Sequence, residues 1–439
     1  MSGEFKAGFA RVEITPRLGD PQWTRPIENI QDPIFIRVLY LEQKGGEAFI
    51  LAMADHGGFD RVADRRIRKA MSKAAGVPIS HVRINGSHNH TCPEASWAVT
   101  RILAGIGQEH VSLEWLARCE ALAAGAAAEA RRNAAPSRAF AGSTEIHDLA
   151  ANRAFTLSGG ERTIRLGYAR SPEIRQKMFS GPAGLYDPVA TVLAFRGARG
   201  NTIAAVLNYG CHVTALDQRG GTISADFPGH AARLFEEASG VPLFFLQGAG
   251  GNVGTGKYAD GSAETSKELG RRLADPALRL LACLEPVRST PLTLARWTER
   301  VELHPCLPTA EAIRKKLRPS KKHQWLLASM LNAVEDPRAR ELDLFVLRAG
   351  DWVICGLPAE SMVEGSIALR AASPAPFTLA GAYFDVTLWY IPTFERLRCG
   401  GYEATGDWNY TAPGASEQIT ASMIARMRAK RMAADPRRG

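Results

Sequence analysis

Residues 83–93 of the chain read Arg83-Ile84-Asn85-Gly86-Ser87-His88-Asn89-His90-Thr91-Cys92-Pro93. The β-prone residues 81–84 predict a strand, and a glycine, two histidines and a proline follow it at once. Residues i and i+2 of an extended segment point to the same side, so His88 and His90 face one pocket. They serve there as two metal ligands, or as one ligand and one hydrogen-bond partner. An isolated pair of this kind is more often two polar histidines in a turn. Whether this pair binds a metal therefore depends on what the rest of the chain supplies.

The composition is that of a globular protein large enough to bury a core, since 45% of its 439 residues are hydrophobic and 23% are charged. The first twenty residues include charged residues and no apolar stretch, which predicts no signal peptide. No integral membrane segment is predicted either. The seven cysteines are scattered without a C-x-x-C pair, which favours reduced thiols and a cytoplasmic location.

The formal net charge is +9, but the basic residues fall in local clusters that are typical of solvated helix faces and a basic C-terminal tail. A nucleic-acid interface needs a basic face interleaved with aromatic residues, or a known module, and the sequence has neither. We therefore expect a small-molecule partner and no nucleic acid. The sequence does not predict the oligomeric state.

Three predicted hairpins resemble one another: each has two apolar strands, a turn containing glycine, and a polar residue after the second strand. These polar residues are Asp55, His212 and Glu360. Three equivalent strand ends that meet at one pocket explain the pattern. The hairpins are formed by residues 34–41 and 49–54 with a turn at 44–47, by residues 189–195 and 202–208, and by residues 342–347 and 352–356.

Helices alternate with these hairpins, which predicts an α/β fold of mixed β-sheets packed together and flanked by helices. No linker rich in glycine, serine or proline divides the chain, so we expect residues 1–439 to form a single large catalytic domain. Residues 308–340 are charged and helical in pattern, and they predict a helical excursion over the surface. The predicted helices cover residues 61–75, 113–133, 230–238 and 265–274.

Several motifs carry a resemblance to a known family through their order and spacing. They are His88-Asn89-His90-Thr91-Cys92-Pro93, Asn152-Arg153-Ala154, Asn208-Tyr209-Gly210-Cys211-His212-Val213-Thr214, Ser224-Ala225-Asp226, Phe245-Leu246-Gln247-Gly248-Ala249-Gly250-Gly251-Asn252, Leu357-Pro358-Ala359-Glu360, and Tyr390-Ile391-Pro392-Thr393 followed by Tyr402. Together they resemble the neutral/alkaline, non-lysosomal ceramidases, a family of zinc amidases. The resemblance covers nearly the whole chain and corresponds to the N-terminal catalytic domain of that family.

The resemblance implies a zinc ion (Zn2+) held by His88, His212, Glu360 and Tyr390. Two imidazoles, a carboxylate and a phenolate are a reasonable zinc ligand set that leaves a position for water or a substrate carbonyl. The resemblance also implies supporting residues. His90 would orient the water or bond the developing oxyanion, and Arg153 and Tyr402 would position the carbonyl or an anionic product.

Two roles remain open for Ser224: a nucleophile that forms an acyl-enzyme, or a positioning group beside an attacking water. Activation of a serine needs a base within hydrogen-bond reach, and Asp226 is close in sequence without being an obvious base. We favour direct attack by zinc-activated water. Asp55 and His56 form either an outer shell around the zinc ligands or a second cation site, and the outer-shell role is the commoner one.

The motifs also depart from the family pattern at several positions. Asn89 replaces a threonine, Thr91-Cys92 replaces serine-glycine, and Asn252 stands where the family tends to carry aspartate. The expected reaction is cleavage of the amide bond of a small-molecule or lipid-like N-acyl substrate. Two alternatives stay open: the same site acting as an esterase, lactonase or cyclic-amide hydrolase, and a non-catalytic ligand-binding relative.

Overall fold

A computed structural model gives the fold for residues 5–429, apart from residues 24, 44–46, 95, 157–159, 161, 166, 169–170, 218–220 and 319–323. Residues 44–46 of the turn predicted at 44–47, part of the predicted helical excursion and most of the basic tail therefore lie outside the described residues.

The strands are β1 (Phe5–Glu13), β2 (Pro21–Gln22), β3 (Arg25–Pro26), β4 (Asn29–Ile30), β5 (Phe35–Gln43), β6 (Ala48–Ala54), β7 (Val82–Gly86), β8 (Ala135–Glu145), β9 (Ala151–Asn152), β10 (Ala154–Thr156), β11 (Arg162–Ile164), β12 (Val189–Gly197), β13 (Thr202–Tyr209), β14 (Thr222–Ile223), β15 (Leu243–Gln247), β16 (Val253–Gly254), β17 (Glu285–Pro286), β18 (Leu292–Arg300), β19 (Glu341–Ala349), β20 (Trp352–Pro358), β21 (Glu360–Ser361), β22 (Phe377–Phe384) and β23 (Tyr390–Ile391). The helices are α1 (Arg61–Ala75), α2 (Trp97–Ala104), α3 (Leu113–Arg132), α4 (Pro172–Ser180), α5 (Asp226–Ser239), α6 (Ala263–Ala282), α7 (Ala310–Lys316), α8 (Gln324–Glu335), α9 (Val363–Ala372), α10 (Phe394–Cys399) and α11 (Ala415–Arg428).

The largest sheet is mixed and has nine strands. Eight follow the order β15-β13-β12-β8-β1-β5-β6-β7, and β17 pairs with β8. The pairing is parallel at the two ends of this sheet, between β13 and β15 and between β6 and β7. The predicted hairpins β5–β6 and β12–β13 are antiparallel pairs within it.

A second sheet has the order β18-β19-β20-β22, in which β20 and β22 are parallel. The third predicted hairpin is its antiparallel pair β19–β20. The predicted α/β fold of mixed sheets flanked by helices is confirmed. Within residues 308–340 the described structure contains α7 and α8, and α8 packs against α2.

Strand β5 shows how the sequence places the large sheet between two layers. Val38 and Tyr40 pack into the cluster that contains α1 and α3, whereas Leu39 and Leu41 pack into the cluster shared with the second sheet. Alternate residues of a strand point to opposite faces, so a strand that is apolar throughout is buried on both sides. Each fully buried aliphatic side chain of this kind contributes about 1.5–3 kcal/mol.

Two buried asparagines join the sheets at the ends of the parallel strands. Asn85 in β7 donates a hydrogen bond to the Ala382 carbonyl, and Asn208 in β13 donates to the Ala380 carbonyl. Both acceptors lie in β22. The loops that follow β7, β13 and β20 consequently leave the sheets in one region, and ligand sites of α/β proteins are commonly built at such carboxyl ends.

Among the described helices, none combines the length and apolar character needed to cross a bilayer. All seven cysteines have free thiols.

Candidate metal centre

The carboxyl ends of three strands deliver the predicted ligands to one place. His88 follows β7, His212 follows β13, and Glu360 follows β20. Tyr390 joins them because β21 and β23 are parallel partners in which Glu360 lies opposite Tyr390. These four side chains come from widely separated parts of the sequence, and none of the residues is more than 4% exposed.

The polar atoms of these side chains face one another at short range. His88 Nε2 lies 2.7 Å from His212 Nε2 and 3.0 Å from Glu360 Oε2. His212 Nε2 lies 3.6 Å from Glu360 Oε2 and 3.5 Å from the Tyr390 hydroxyl. His90 Nε2 lies 3.1 Å from His88 Nε2, so the second histidine of the motif borders the same point.

Backbone carbonyls fix the tautomers of the two buried histidines. His88 Nδ1 lies 2.8 Å from the Gly57 carbonyl, and His212 Nδ1 lies 3.1 Å from the Gly250 carbonyl. A carbonyl oxygen only accepts, so each Nδ1 carries the proton and each Nε2 of a neutral ring presents a lone pair. Burial, and then the charge of Arg153, hold the pKa of His212 well below its usual range, which keeps that ring neutral.

With both imidazoles neutral, as metal ligation requires, two lone pairs face each other, and the carboxylate beside them is also unmatched. Glu360 Oε2 is buried without a hydrogen-bond donor among the described residues. Clustered acceptors without a shared proton are unfavourable in a buried site unless a cation lies between them. The residues thus fit a metal ion, and the carbonyl contacts at Nδ1 are the usual means of orienting histidine ligands.

The distances also suit zinc. Tetrahedral coordination with bonds of about 2.0–2.1 Å places ligand atoms about 3.3 Å apart, and the separations around His88 and His212 run from 2.7 to 3.6 Å. The nitrogen atoms of His88, His90 and His212 lie within 4.8 Å of one another, and His90 is the partly exposed member of this group. The predicted ligand set of His88, His212, Glu360 and Tyr390 stays a prediction, and His90 lies on its open side.

Arg153 contacts the cluster through Tyr390. Its Nη1 donates to the Tyr390 hydroxyl at 2.7 Å and lies 3.8 Å from Glu403 Oε1. Its guanidinium lies 5.7 Å from the centre of the Tyr402 ring. Burial raises the pKa of Tyr390 well above its usual value, and Arg153 opposes that shift by favouring the phenolate. Arg153 and Tyr402 thus lie beside the predicted ligand set, and their catalytic roles stay predictions.

The backbone around the cluster is strained. His88, Ala359, Tyr383 and Trp389 all have positive φ angles, between 51° and 62°. Non-glycine residues seldom adopt this conformation, and such residues concentrate at functional sites where the surrounding structure holds them. Three of the four are a predicted ligand or the residue just before one.

Solved structures match this chain in fold, although no family model matches it and no curated protein matches it in sequence. The crystal structure of neutral ceramidase from Pseudomonas aeruginosa superposes on 97% of this chain and 74% of its own, with a TM-score of 0.76 and 17% identity. A ceramidase structure described as complexed with C2 superposes on 97% of this chain and 75% of its own, with a TM-score of 0.73 and 16% identity. The chain has the neutral ceramidase fold.

Within this ceramidase fold, Ser224 belongs to a different cluster. Its Oγ donates to Asp32 Oδ2 at 2.6 Å and accepts from the Asp226 backbone N–H at 3.0 Å. The Ser224 carbonyl accepts from Asn89 Nδ2 and from Thr91 Oγ1. Ser224 is fully buried, and it braces the loop that carries His88 and His90.

The Asp226 carboxylate accepts hydrogen bonds from three backbone N–H groups and one serine hydroxyl. Oδ2 accepts from the N–H groups of Ala215 and Leu216, and Oδ1 accepts from the N–H of Phe227 and from Ser266 Oγ. The carboxylate does not bond to the Ser224 hydroxyl within the described structure. The base that touches this serine is Asp32, which no sequence pattern singled out.

The predicted meeting of three equivalent strand ends is wrong for Asp55. Its carboxylate accepts from Arg37 Nη1 at 2.8 Å and from the Phe35 N–H at 3.0 Å, so a buried ion pair turns it away. His56 stacks on Phe59, and burial lowers its pKa to about 3. A second cation at this pair is not supported. The segment supports the cluster through its backbone, because the carbonyl beyond His56 orients the first predicted ligand.

Two further residues complete the surroundings of the cluster, and no sequence pattern indicated the contacts that they make. Gln247 Nε2 donates to the carbonyls of Ser87 and Cys211, which precede the two buried histidines. Tyr383 stacks on the His88 ring with centroids 4.2 Å apart. The motif around Gln247 was singled out in the sequence, but it did not indicate which groups Gln247 contacts. Tyr383 lies in an apolar run that is typical of a core strand.

Proposed function

We propose that the protein is a zinc-dependent hydrolase that cleaves the amide bond of an N-acyl substrate. The observation that carries this proposal is the convergence of His88 Nε2, His212 Nε2 and Glu360 Oε2 as unmatched acceptors in one buried cluster. The structures that share the fold are described as ceramidases, and ceramide is an N-acyl lipid, which supports this reaction class.

His88, His212, Glu360 and Tyr390 would hold the ion. Zinc bound there would polarise the substrate carbonyl and lower the pKa of a coordinated water to about 7. The Arg153 guanidinium keeps positive charge beside Tyr390, because its Nη1 donates to the phenol oxygen. Tyr390, Glu403 and Glu360 raise the pKa of Arg153 against the opposing effect of burial, so this charge is permanent.

His90 has the position of a proton-handling residue. It borders the cluster through Nε2, and it is partly exposed while His88 and His212 are buried. From that side it orients a water molecule or donates to the oxyanion that develops on the carbonyl. Arg153 and Tyr402, which lie beside Tyr390, stabilise the same developing charge. Loss of one such donor costs about 100-fold or more in rate.

We further propose that water attacks the carbonyl directly. Asp32 accepts from the Ser224 hydroxyl and meets the need for a nearby base, so the choice between the two mechanisms depends on access to the substrate. A nucleophile has to reach the substrate, yet Ser224 has no exposed surface. Ser224 then acts as a positioning residue for the histidine loop. A cytoplasmic location stays a prediction.

The test is a substrate comparison on metal-free and zinc-loaded protein. Purified protein is stripped with a chelator, reloaded with one equivalent of zinc, and assayed on short- and long-chain N-acyl amines and on esters of the same acyl chains. We expect amide hydrolysis that disappears on stripping and returns with zinc. Hydrolysis of the esters alone would replace the proposed reaction by the esterase alternative, and full activity after stripping would contradict the zinc assignment.

A further inference from the structure

A continuous series of aromatic rings leads away from the candidate metal centre. The Tyr390 and Tyr402 centroids lie 6.0 Å apart, and the Tyr402 and Trp408 centroids lie 5.2 Å apart. Trp408 lies 5.5 Å from Trp325, and Trp325 lies 4.9 Å from Trp23. We call Tyr402, Trp408, Trp325 and Trp23 the aromatic wall. Trp389 packs behind it, 5.3 Å from Trp408.

The wall is assembled from separate parts of the chain and is fixed to the histidine loop. Trp325 comes from α8, within the region predicted as a surface excursion. The Trp23 carbonyl lies 3.2 Å from His110 Nδ1, and His110 Nε2 lies 3.2 Å from Glu94 Oε2. Glu94 closely follows the His88–Pro93 motif, so the buried Glu94–His110 pair ties the outer end of the wall to the loop at its inner end.

The rings of the wall are only partly buried. Trp23, Trp325 and Trp408 are each of intermediate exposure, as is Tyr402. None of the three indole N–H groups donates a hydrogen bond to another described residue. By contrast, the buried Trp115 donates to a carbonyl at 2.6 Å, and the buried Trp352 donates to a serine hydroxyl at 3.2 Å.

We propose that the aromatic wall binds the part of the substrate beyond the scissile amide, and that this part is a ring with an apolar face and with oxygen atoms at its edge. This inference rests on the proposed hydrolase function. Ring faces stack on indole faces, and edge oxygens accept from the unused indole N–H groups. A straight alkyl chain would pack against the ring faces but would leave the indole N–H groups without an acceptor. An N-acyl amino sugar and an N-acyl amine with an oxygenated aromatic ring both have this chemistry.

The test compares three N-acetyl probes on the zinc-loaded protein: N-acetylglucosamine, N-acetyl-4-methoxyaniline and N-acetylhexylamine. The variants are Trp325→Ala, Trp325→Phe and Trp408→Phe, with Phe394→Ala as the control because Phe394 is an exposed aromatic outside the wall. Melting temperatures show that each variant is folded. Binding of glucosamine and of 4-methoxyaniline is followed separately by tryptophan fluorescence, which needs no turnover.

For a ring probe, we expect Trp325→Ala to raise KM about tenfold or more with little change in kcat, since stacking on one aromatic side chain has about this value. Trp325→Phe and Trp408→Phe keep a ring without the N–H and should raise KM less. The change in KM should be smaller for N-acetylhexylamine, and the Phe394→Ala control should show none. The ring probe with the higher kcat/KM shows whether the substrate carries an amino sugar or an oxygenated aromatic ring.

A preference of the wild type for N-acetylhexylamine, or equal effects of Trp325→Ala on all three probes, would overturn the ring proposal and leave the hydrolase intact. If no amide is cleaved but the ring amines still bind and Trp325→Ala weakens that binding, the hydrolase proposal fails and the wall stands.

Discussion

Two buried polar clusters lie on either side of the loop of residues 88–91, and they are built in opposite ways. In the metal cluster, the Nε2 atoms of His88 and His212 present lone pairs to each other and to Glu360 Oε2. In the serine cluster, the Ser224 hydroxyl and the Asp226 carboxylate each meet donors or acceptors of the complementary kind.

The difference shows which of two polar clusters is built for a ligand. A network in which every donor and acceptor is paired stabilises the fold and leaves no group to bind a ligand. Clustered acceptors are tolerated in the interior only with a cation. Burial alone does not separate the two, because both clusters are buried. Removing a residue from the metal cluster should therefore abolish function and spare the fold, and the reverse should hold for the serine cluster.

The largest effect is expected for His212→Ala. Loss of this imidazole should remove bound zinc and reduce amide turnover by more than about 100-fold, since even outer-shell changes at metal sites cost about 10–100-fold. Zinc content and turnover are measured together with thermal unfolding. His147→Ala is the matched control, because this exposed histidine pairs with Glu145 away from the cluster. Stoichiometric zinc with full turnover in His212→Ala would show that His212 is not a zinc ligand.

An intermediate effect is expected from the titration of Asp226. Burial raises its pKa to about 6, so the folded state binds this proton more tightly than the unfolded state does. Its contribution to the free energy of unfolding is full below about pH 4 and is lost as the pH rises through 6, a change of up to about 3 kcal/mol. The advantage in stability of wild type over Asp226→Asn should shrink across that range.

This measurement is made by urea unfolding of chelator-treated protein, so that metal binding does not enter. Asp60, whose pKa burial also raises to about 6, is present in both proteins and cancels in the difference. A difference between the two proteins that does not vary with pH would show that Asp226 does not titrate in this range.

The smallest effect on turnover is expected for Ser224→Ala. The change leaves Asp32 Oδ2 and the Asp226 N–H without partners, which should lower the free energy of unfolding by about 1–3 kcal/mol. Turnover should fall less than about tenfold, since the effect on catalysis passes only through the histidine loop. Ser266→Ala, which also removes a hydroxyl from Asp226, serves as control. Complete loss of turnover in a folded, zinc-loaded Ser224→Ala protein would make Ser224 the nucleophile.

The sequence predicts much of the fold because apolar alternation and turn glycines are local signals. The β5–β6, β12–β13 and β19–β20 hairpins and helix α1 follow from them directly. The motifs at His88, His212 and Glu360 also predict the meeting that the structure shows. That success depended on the family resemblance as well as on residue chemistry.

Other features depend on tertiary partners that local patterns do not encode. Asp55 follows its strand as His212 does, yet its carboxylate forms an ion pair with Arg37 on the neighbouring strand. Asp32 lies in a short loop without a motif, and its role arises because α5 begins beside it. Trp325 is one apolar residue in a helical pattern, and only the packing of α8 brings it to the aromatic wall.

X-ray absorption spectroscopy of the zinc-loaded protein tests most directly whether the unmatched acceptors form one cation site. We predict one zinc per chain with nitrogen and oxygen ligands alone at about 2.0–2.1 Å, and one fewer imidazole in any zinc that His212→Ala retains. Sulfur at about 2.3 Å, which Cys92 or Cys211 near the histidines would supply, or the lack of stoichiometric zinc in the wild type, would contradict the account.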